Sequence, residues 1–405
     1  MPQAQSALRP AAHRSALAVG YFAYFCVVGV FTPYISLWLA AQGHGALVIG
    51  QLLALASALR IFGPFAVAWL FDHVPSRRRW FVAAAVVATL TWALVAAWPL
   101  ANGGAAPVLG LLAVVFALYS LSFNSLMSAY DAFVLDCLGK AQRDYGRLRW
   151  WGSAGFIFSS ALVGQWVAVS GPGVVLWGLL LGGVVTVLAF LRLPQDPPRT
   201  AAPAPAGAVA AALRQPLVWV FVGVGFLQQA GFGAYYTFFS LYLQQHGYGS
   251  RHIGLLWAWG VVAEIAVFLA GPWLVARLRL RTLLQLALLG TALRWVLLAV
   301  AVDHVAVTWL AQTLHLAGFG LFHTVGVLLL PRLLPPGAAA RAQALSGSLA
   351  WGLGGMAGSL FAAAVWNGAG PSAAFQASAA LAVGAAALAW IGLRGAFMER
   401  IDPAH

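Results

Sequence analysis

Charge is what this sequence has least of. Only 8% of its 405 residues are Asp, Glu, Lys or Arg, against about 25% in an ordinary water-soluble domain. So few charges cannot coat a chain of this length in water, and a bilayer removes the need. Acids are scarcest, nine against 22 Lys and Arg, which leaves a formal net charge of +13. That excess does not point to nucleic acid as a partner. The basic residues stand singly or in short runs between apolar stretches, the topogenic pattern of a membrane protein. Cysteine is nearly missing as well. Cys26 and Cys137 lie far apart, in or beside apolar stretches, without CxxC or other metal-ligand spacing. No disulfide framework, metal site or cofactor is implied. The chain also has no P-loop, HExxH or Ser/His/Asp grouping, which argues against ATP-driven transport and against a membrane-embedded enzyme.

Hydrophobic sequence is what abounds, at 62%. A membrane-spanning helix needs about 20 apolar residues. Twelve such runs can be read, at 16–41, 47–71, 79–99, 106–133, 148–168, 172–193, 216–243, 251–275, 282–301, 304–329, 341–365 and 371–394. The first exceeds the roughly 7–15 residues of a signal-peptide core and reads as a retained helix behind a polar tail, 1–15. The widest break, 194–215, is rich in Pro and Ala and reads as a cytoplasmic linker. It separates two six-helix halves, 16–193 and 216–396, with a tail at 397–405. If the N-terminus is cytoplasmic, every Lys and Arg except Arg60, Arg251 and Arg294 falls on the inside. By the positive-inside rule both termini are then cytoplasmic, in a multi-pass protein of a bacterial inner membrane.

The halves carry a repeat. SLWLAAQGHGALVIGQLLAL (Ser36–Leu55) aligns without gaps to SLYLQQHGYGSRHIGLLWAW (Ser240–Trp259) at an offset of 204 residues. Ser36, Leu37, Leu39, Gly43, Gly45, Ile49, Gly50, Leu52 and Ala54 all recur. Each copy spans the end of a first helix, a Gly-containing turn and the start of a second. A repeat in one orientation about a linker is similar to the parallel-repeat architecture of the major facilitator superfamily. The expected fold is thus an all-α membrane protein, twelve helices in two pseudo-symmetric six-helix bundles.

Ionisable residues inside a bilayer are costly, and each is a functional hypothesis by default. Asp131 and Glu264 are the only acids inside the twelve runs, and Arg60 and Arg294 the basic counterparts, with His315 and His323 in the tenth. Arg60 and Glu264 are themselves 204 residues apart, so they occupy equivalent places near mid-membrane. Glu264, Arg294 and His315 lie at similar depth on consecutive helices, which suggests a Glu264–Arg294 pair. With neutral histidines, two arginines and one glutamate leave a net positive charge, and an uncompensated buried charge is expensive. The site therefore wants an anion, and arginine pairs bidentately with carboxylates. Aromatic and polar residues share the region: Tyr21, Tyr24, Phe25, Tyr34 and Trp38 in the first helix, and Gln228, Gln229, Phe232, Tyr235, Tyr236 and Phe239 in the seventh. Any one of these aromatics has packing as its simplest reading. Together with a cation they suggest a carboxylate on an aromatic or other apolar body.

Longer motifs resemble known transporters. GPFAVAWLFDHVPSRRRW resembles the loop signature of major facilitator transporters, keeping Asp72 and Arg77–Arg79 but with Pro75-Ser76 where glycine is typical. That resemblance implies a cytoplasmic gate at Asp72, Arg77 and Arg78; topogenic charge explains the arginines as well. DYGRLRWWGSAGF, WAWGVVAEIAVF, LRW and QTLHLAGFGLFH, in that order, resemble the phenylpropionate-permease group along essentially the whole chain. A remoter similarity is to lactose permease and its oligosaccharide:proton symporter relatives. There, an acid late in helix 4 and an arginine 18 residues later hold the sugar, a spacing kept by Asp131 and Arg149. Glu264, Arg294 and His315 match the glutamate, arginine and histidine of helices 8 to 10. Gly318 departs from the acid expected three positions after the histidine, so the proton carrier cannot be copied across.

These resemblances imply a monomeric secondary transporter that imports a small organic anion, a 3-phenylpropionate-like aromatic acid, with protons by alternating access. Tyr24, Gln228 and Tyr235 join Arg60, Glu264, Arg294, His315, Asp131 and Arg149 as substrate-binding or proton-coupling candidates. A sugar or nucleoside proton symporter is the first alternative, favoured if Asp131 and Arg149 face a cavity; a drug-type exporter is the second.

Overall fold

In the computed structural model, residues 10–124, 126–197, 214–332 and 347–394 are described, with the side chains of 10–12 and 64–73 among those left aside. Among the described residues twelve helices are long and apolar enough to cross a membrane. They are α1 (Pro10–Ala41), α2 (Ala46–His73), α3 (Arg77–Ala101), α4 (Leu109–Leu138), α5 (Tyr145–Ser170), α6 (Val174–Leu191), α7 (Pro216–Gln245), α8 (Ser250–Arg277), α9 (Leu280–Ala301), α10 (Val305–Leu330), α11 (Ser348–Ala369) and α12 (Pro371–Gly392). Among the described residues no strand occurs. In hydrocarbon every N–H and C=O must be satisfied without water, and a helix does this within one segment. Residues 10–15 of the expected N-terminal tail belong to α1. Residues 1–9 of that tail, the tail at 397–405, most of the expected linker 194–215 and the first residues of the run at 341–365 lie outside the described residues. So does the side chain of Asp72.

The 204-residue repeat has a structural counterpart. α1 ends at Ala41 and α7 at Gln245, while α2 begins at Ala46 and α8 at Ser250, all at that offset. Gly43 and Gly247 hold φ of 87° and 79° in the two turns. That left-handed backbone explains why glycine recurs there.

The chain divides into two compact units, residues 1–42 with 62–201 and residues 43–61 with 202–405. In the first, α1 packs along α5 and α6, and α3 along α6. In the second, α7 packs along α11 and α12, and α9 along α12. The closest approaches match too. A Cβ at Gly29 of α1 would stand 2.7 Å from the Phe156 carbonyl oxygen on α5. A Cβ at Gly233 of α7, again 204 residues on, would stand 2.2 Å from the Gly358 backbone on α11. Residues 43–61 group with the second unit because small residues let α2 close on α11: Gly50 meets Ala363, and Ile61 meets Gly352.

Among the described residues α7 is interrupted at Phe232, and three further helices contain a π-turn. α4 contains a π-turn at Ser120–Asn124, α10 one at Leu316–Leu321, and α11 opens with one at Ser348–Gly354. Such widened turns inside α-helices cluster at functional sites.

Candidate functional site

The second unit concentrates its polar groups around one arginine. Arg294, in the middle of α9, is 0% exposed. Its Nη1 donates to His315 Nδ1 at 2.8 Å and its Nη2 to Gln312 Oε1 at 2.6 Å. Aromatic faces enclose the guanidinium, with ring centroids at 4.1 Å for Tyr235, 4.5 Å for Trp295 and 5.8 Å for Phe232. Contacts of this kind stabilise a desolvated cation by about 2 kcal/mol. Among the described residues no carboxylate lies within ion-pair distance of it. Gln312 is itself fixed, its Nε2 donating to the Leu256 carbonyl at 2.8 Å and to the Tyr235 hydroxyl at 3.3 Å.

The expected direct Glu264–Arg294 pair is replaced by a chain of three. Guanidinium has no acceptor, so His315 must offer Nδ1 as a lone pair and carry its proton on Nε2. That nitrogen faces Glu264 Oε2 at 3.8 Å, too far for a hydrogen bond but within range of charge and dipole. Glu264 is 9% exposed. The sequence placed these groups at one depth without showing which helix faces met; His315 projects between the other two. Arg60, on α2, belongs to the same unit. It is half-buried, and its Nε has no hydrogen-bond partner among the described residues.

Gln228 and Tyr24 spend their donors on neighbouring helices, while Gln228 Oε1 has no hydrogen-bond partner among the described residues. Gln228 Nε2 donates to Thr291 Oγ1 at 3.1 Å and to the Gly318 carbonyl at 3.0 Å. The Tyr24 hydroxyl donates to the Phe123 carbonyl at 3.4 Å, its ring stacked on Phe123 at 4.4 Å. The glycine at 318 also has a physical reason. A Cβ there would stand 2.7 Å from Thr291 Oγ1 and 2.9 Å from Phe232 Cζ, so an acidic side chain has no room.

In the first unit Asp131 Oδ1 accepts from Tyr21 at 2.6 Å and from Tyr145 at 2.8 Å. Arg149 lies over the rings of Phe25, at 4.4 Å, and Tyr21, at 5.6 Å. Tyr21 thus stands beside both Asp131 and Arg149. Arg77 and Arg78, expected from the loop resemblance at a gate, are tied down within this unit. Arg77 Nη1 meets Asp136 Oδ2 at 2.7 Å, and Arg77 Nη2 donates to the Pro197 carbonyl at 2.8 Å. Asp196 accepts from the backbone N–H groups of Arg77 and Arg78 at 2.9 and 3.0 Å, placing an anion on the N-terminus of α3. Arg78 also donates to the Leu191 carbonyl. Gln312 and Tyr145 were missed by the sequence reading. A glutamine one helical turn before His315, inside an apolar run, was the available signal for the first. Nothing local marks the second.

A model of the MFS_1 like family matches residues 15–377. The chain belongs to that family of major facilitator transporters. It is a multi-pass membrane transporter and not an enzyme. Its sequence is 33% identical over 314 residues to the Escherichia coli (strain K12) protein named "Probable 3-phenylpropionic acid transporter", covering 76% of this transporter and 79% of that protein. Among solved structures, the nucleoside transporter NupG superposes with a TM-score of 0.80 at 16% identity, covering 95% of this chain and 99% of that one. A bacterial homologue of the human lysosomal transporter Spinster, inward-facing and unoccupied, gives 0.72 at 15% identity, covering 98% and 100%. At these identities the solved structures share the major facilitator fold.

Proposed function

We propose that this transporter imports a small aromatic carboxylate with protons across a bacterial inner membrane, with both termini in the cytoplasm. The observation that carries the reading is Arg294, a buried cation held by neutral acceptors and aromatic faces. A carboxylate attached to a ring satisfies both features, through charge-assisted bonds to a guanidinium and stacking of its apolar body. Arg60, the less buried arginine, is the first contact for the anion. The relative named for 3-phenylpropionic acid transport supports this class. Coupling follows from the chain Arg294–His315–Glu264. An anion that draws Arg294 away from His315 Nδ1 frees that nitrogen to take a proton, and Glu264 then faces an imidazolium that it stabilises.

The test is uptake of labelled 3-phenylpropionate into right-side-out vesicles, with and without an acid-outside gradient, beside a panel of sugars and nucleosides. The parent accumulates the aromatic acid only with the gradient. Glu264→Gln loses accumulation but keeps exchange of substrate across the membrane. Uptake indifferent to the gradient, or a Glu264→Gln variant that accumulates normally, would remove the coupling role. A second reading, a sugar or nucleoside proton symporter, is favoured by one cluster: Asp131 with two tyrosine hydroxyls and Arg149 laid on Phe25. Gradient-driven uptake of a sugar or nucleoside in place of the acid would select it.

A further inference from the structure

The repeat extends further in three dimensions than in the sequence. Both the fourth and the tenth helix, equivalent members of the two halves, contain a π-turn. Each turn begins eleven residues after the first residue of its helix, at Ser120 in α4 and at Leu316 in α10. In each case a side chain from the first helix of the same half donates to a carbonyl within the turn: Tyr24 of α1 to Phe123, and Gln228 of α7 to Gly318. Tyr24 and Gln228 are themselves 204 residues apart. Two unlike side chains at one repeat position, each on the same irregular turn, make a shared device the economical explanation.

We propose that Tyr24 and Gln228 are repeat-related positioning residues that hold the π-turns of α4 and α10 and so aim the titratable groups beside them. A π-turn splays its carbonyls from their usual N–H partners, and in a bilayer no water replaces the lost donor. A donor reaching in from a neighbouring helix favours the π form over the α form. If the turn anneals to α, the helix beyond it rotates by about 100°, one residue's share of a turn. His315 directly precedes the α10 turn, and its two ring contacts, to Arg294 at 2.8 Å and Glu264 at 3.8 Å, depend on that rotation. Asp131 lies two helical turns beyond the α4 π-turn, where Tyr21 and Tyr145 meet one of its oxygens. The amide of Gln228 has one workable orientation. Gly318 O can only accept, and Thr291 Oγ1 spends its proton on the Ala287 carbonyl at 2.7 Å, so Nε2 faces both.

Hydrogen exchange on the full chain in lipid nanodiscs tests this without reference to any substrate. In Gln228→Met, which keeps length but donates nothing, amides at 316–321 exchange roughly fivefold faster, the factor one hydrogen bond is worth, while those at 120–124 are unchanged. Tyr24→Phe gives the reverse pattern. Tyr24→Gln, which installs at one repeat position the donor used at the other, restores protection at 120–124. The ¹⁵N ring signals of His315 shift in Gln228→Met and stay in place in Tyr24→Phe, a response that loss of packing alone would not produce. Unchanged exchange at both turns, or equal acceleration along all helices, overturns the proposal. Tyr24→Phe removes a single oxygen and decides the case by itself if Gln228→Met does not fold.

Discussion

Arg60 and Arg294 both stand near the middle of their helices, α2 and α9, yet their surroundings differ. Arg294 is enclosed and bonded through Nη1 and Nη2 to His315 and Gln312, whereas Arg60 is only half-buried; among the described residues the Nε of each has no partner. Arg60→Ala is therefore expected to leave insertion and folding intact and to weaken 3-phenylpropionate affinity at least about tenfold, the scale of one charge-assisted bond. Arg60→Lys recovers only part of it, because an ammonium lacks the planar fork. Calorimetric titration of the purified variants checks this, and an Ala variant with parental affinity would take Arg60 out of the site. A different result is expected deeper in. Glu264 and Arg294 communicate through the imidazole between them. A stability cycle on Arg294→Met and Glu264→Gln should give a coupling of about 0.5–3 kcal/mol, as for members of one network, and the same cycle built on His315→Phe should give almost none. Coupling that survives loss of the imidazole would mean the two side chains interact by another route.

At the scale of elements, helices within a half close on one another through glycines that replace side chains with backbone contact. Gly233 of α7 lies against Gly358 of α11, where even a Cβ would stand 2.2 Å from backbone atoms. Backbone cannot swing aside as a side chain does. Gly233→Ala is expected to cost about 1–3 kcal/mol by overpacking, read as a lower thermal midpoint of the purified protein. Gly45→Ala makes a control, since a Cβ there meets nothing within 4 Å. Equal midpoints for the two variants would show that α7 and α11 can separate at no cost. The helix ends at Ala41 and Gln245 and the glycine turns after them were legible in the repeat, because turn chemistry is local. The π-turns were not. Whether a helix widens by one residue depends on a donor arriving from another helix, and no local pattern in LSFN or AGFG records that donor.

For the molecule as a whole, charge is the property that acts at longest range. Arginines gather at helix ends of one parity: Arg77, Arg78 and Arg79 open α3, Arg143, Arg147 and Arg149 flank the start of α5, and Arg277, Arg279 and Arg281 bracket the step from α8 to α9. On the proposed orientation these ends face the cytoplasm. Reporter fusions after residues 197 and 394 should then be active with a cytoplasmic reporter and silent with a periplasmic one, while a fusion within 102–107 should behave oppositely. The inverse pattern would reverse the topology.

Helix number, membrane residence and two-fold repetition were set by the sequence on its own. Run length, charge spacing and glycine register are one-dimensional quantities, and the bilayer allows a long apolar run little choice but a helix. The same local information named Arg60, Glu264, Arg294, His315 and Asp131, because a charge among apolar neighbours stands out wherever it points. What each of them touches was decided only by tertiary structure. Helix rotation put His315 between Glu264 and Arg294, brought Gln312 under the guanidinium, turned Tyr21 and Tyr145 onto Asp131, and spent Tyr24 and Gln228 on carbonyls. Those contacts depend on angles between helices far apart in the chain, which packing sets and spacing along a single helix does not encode.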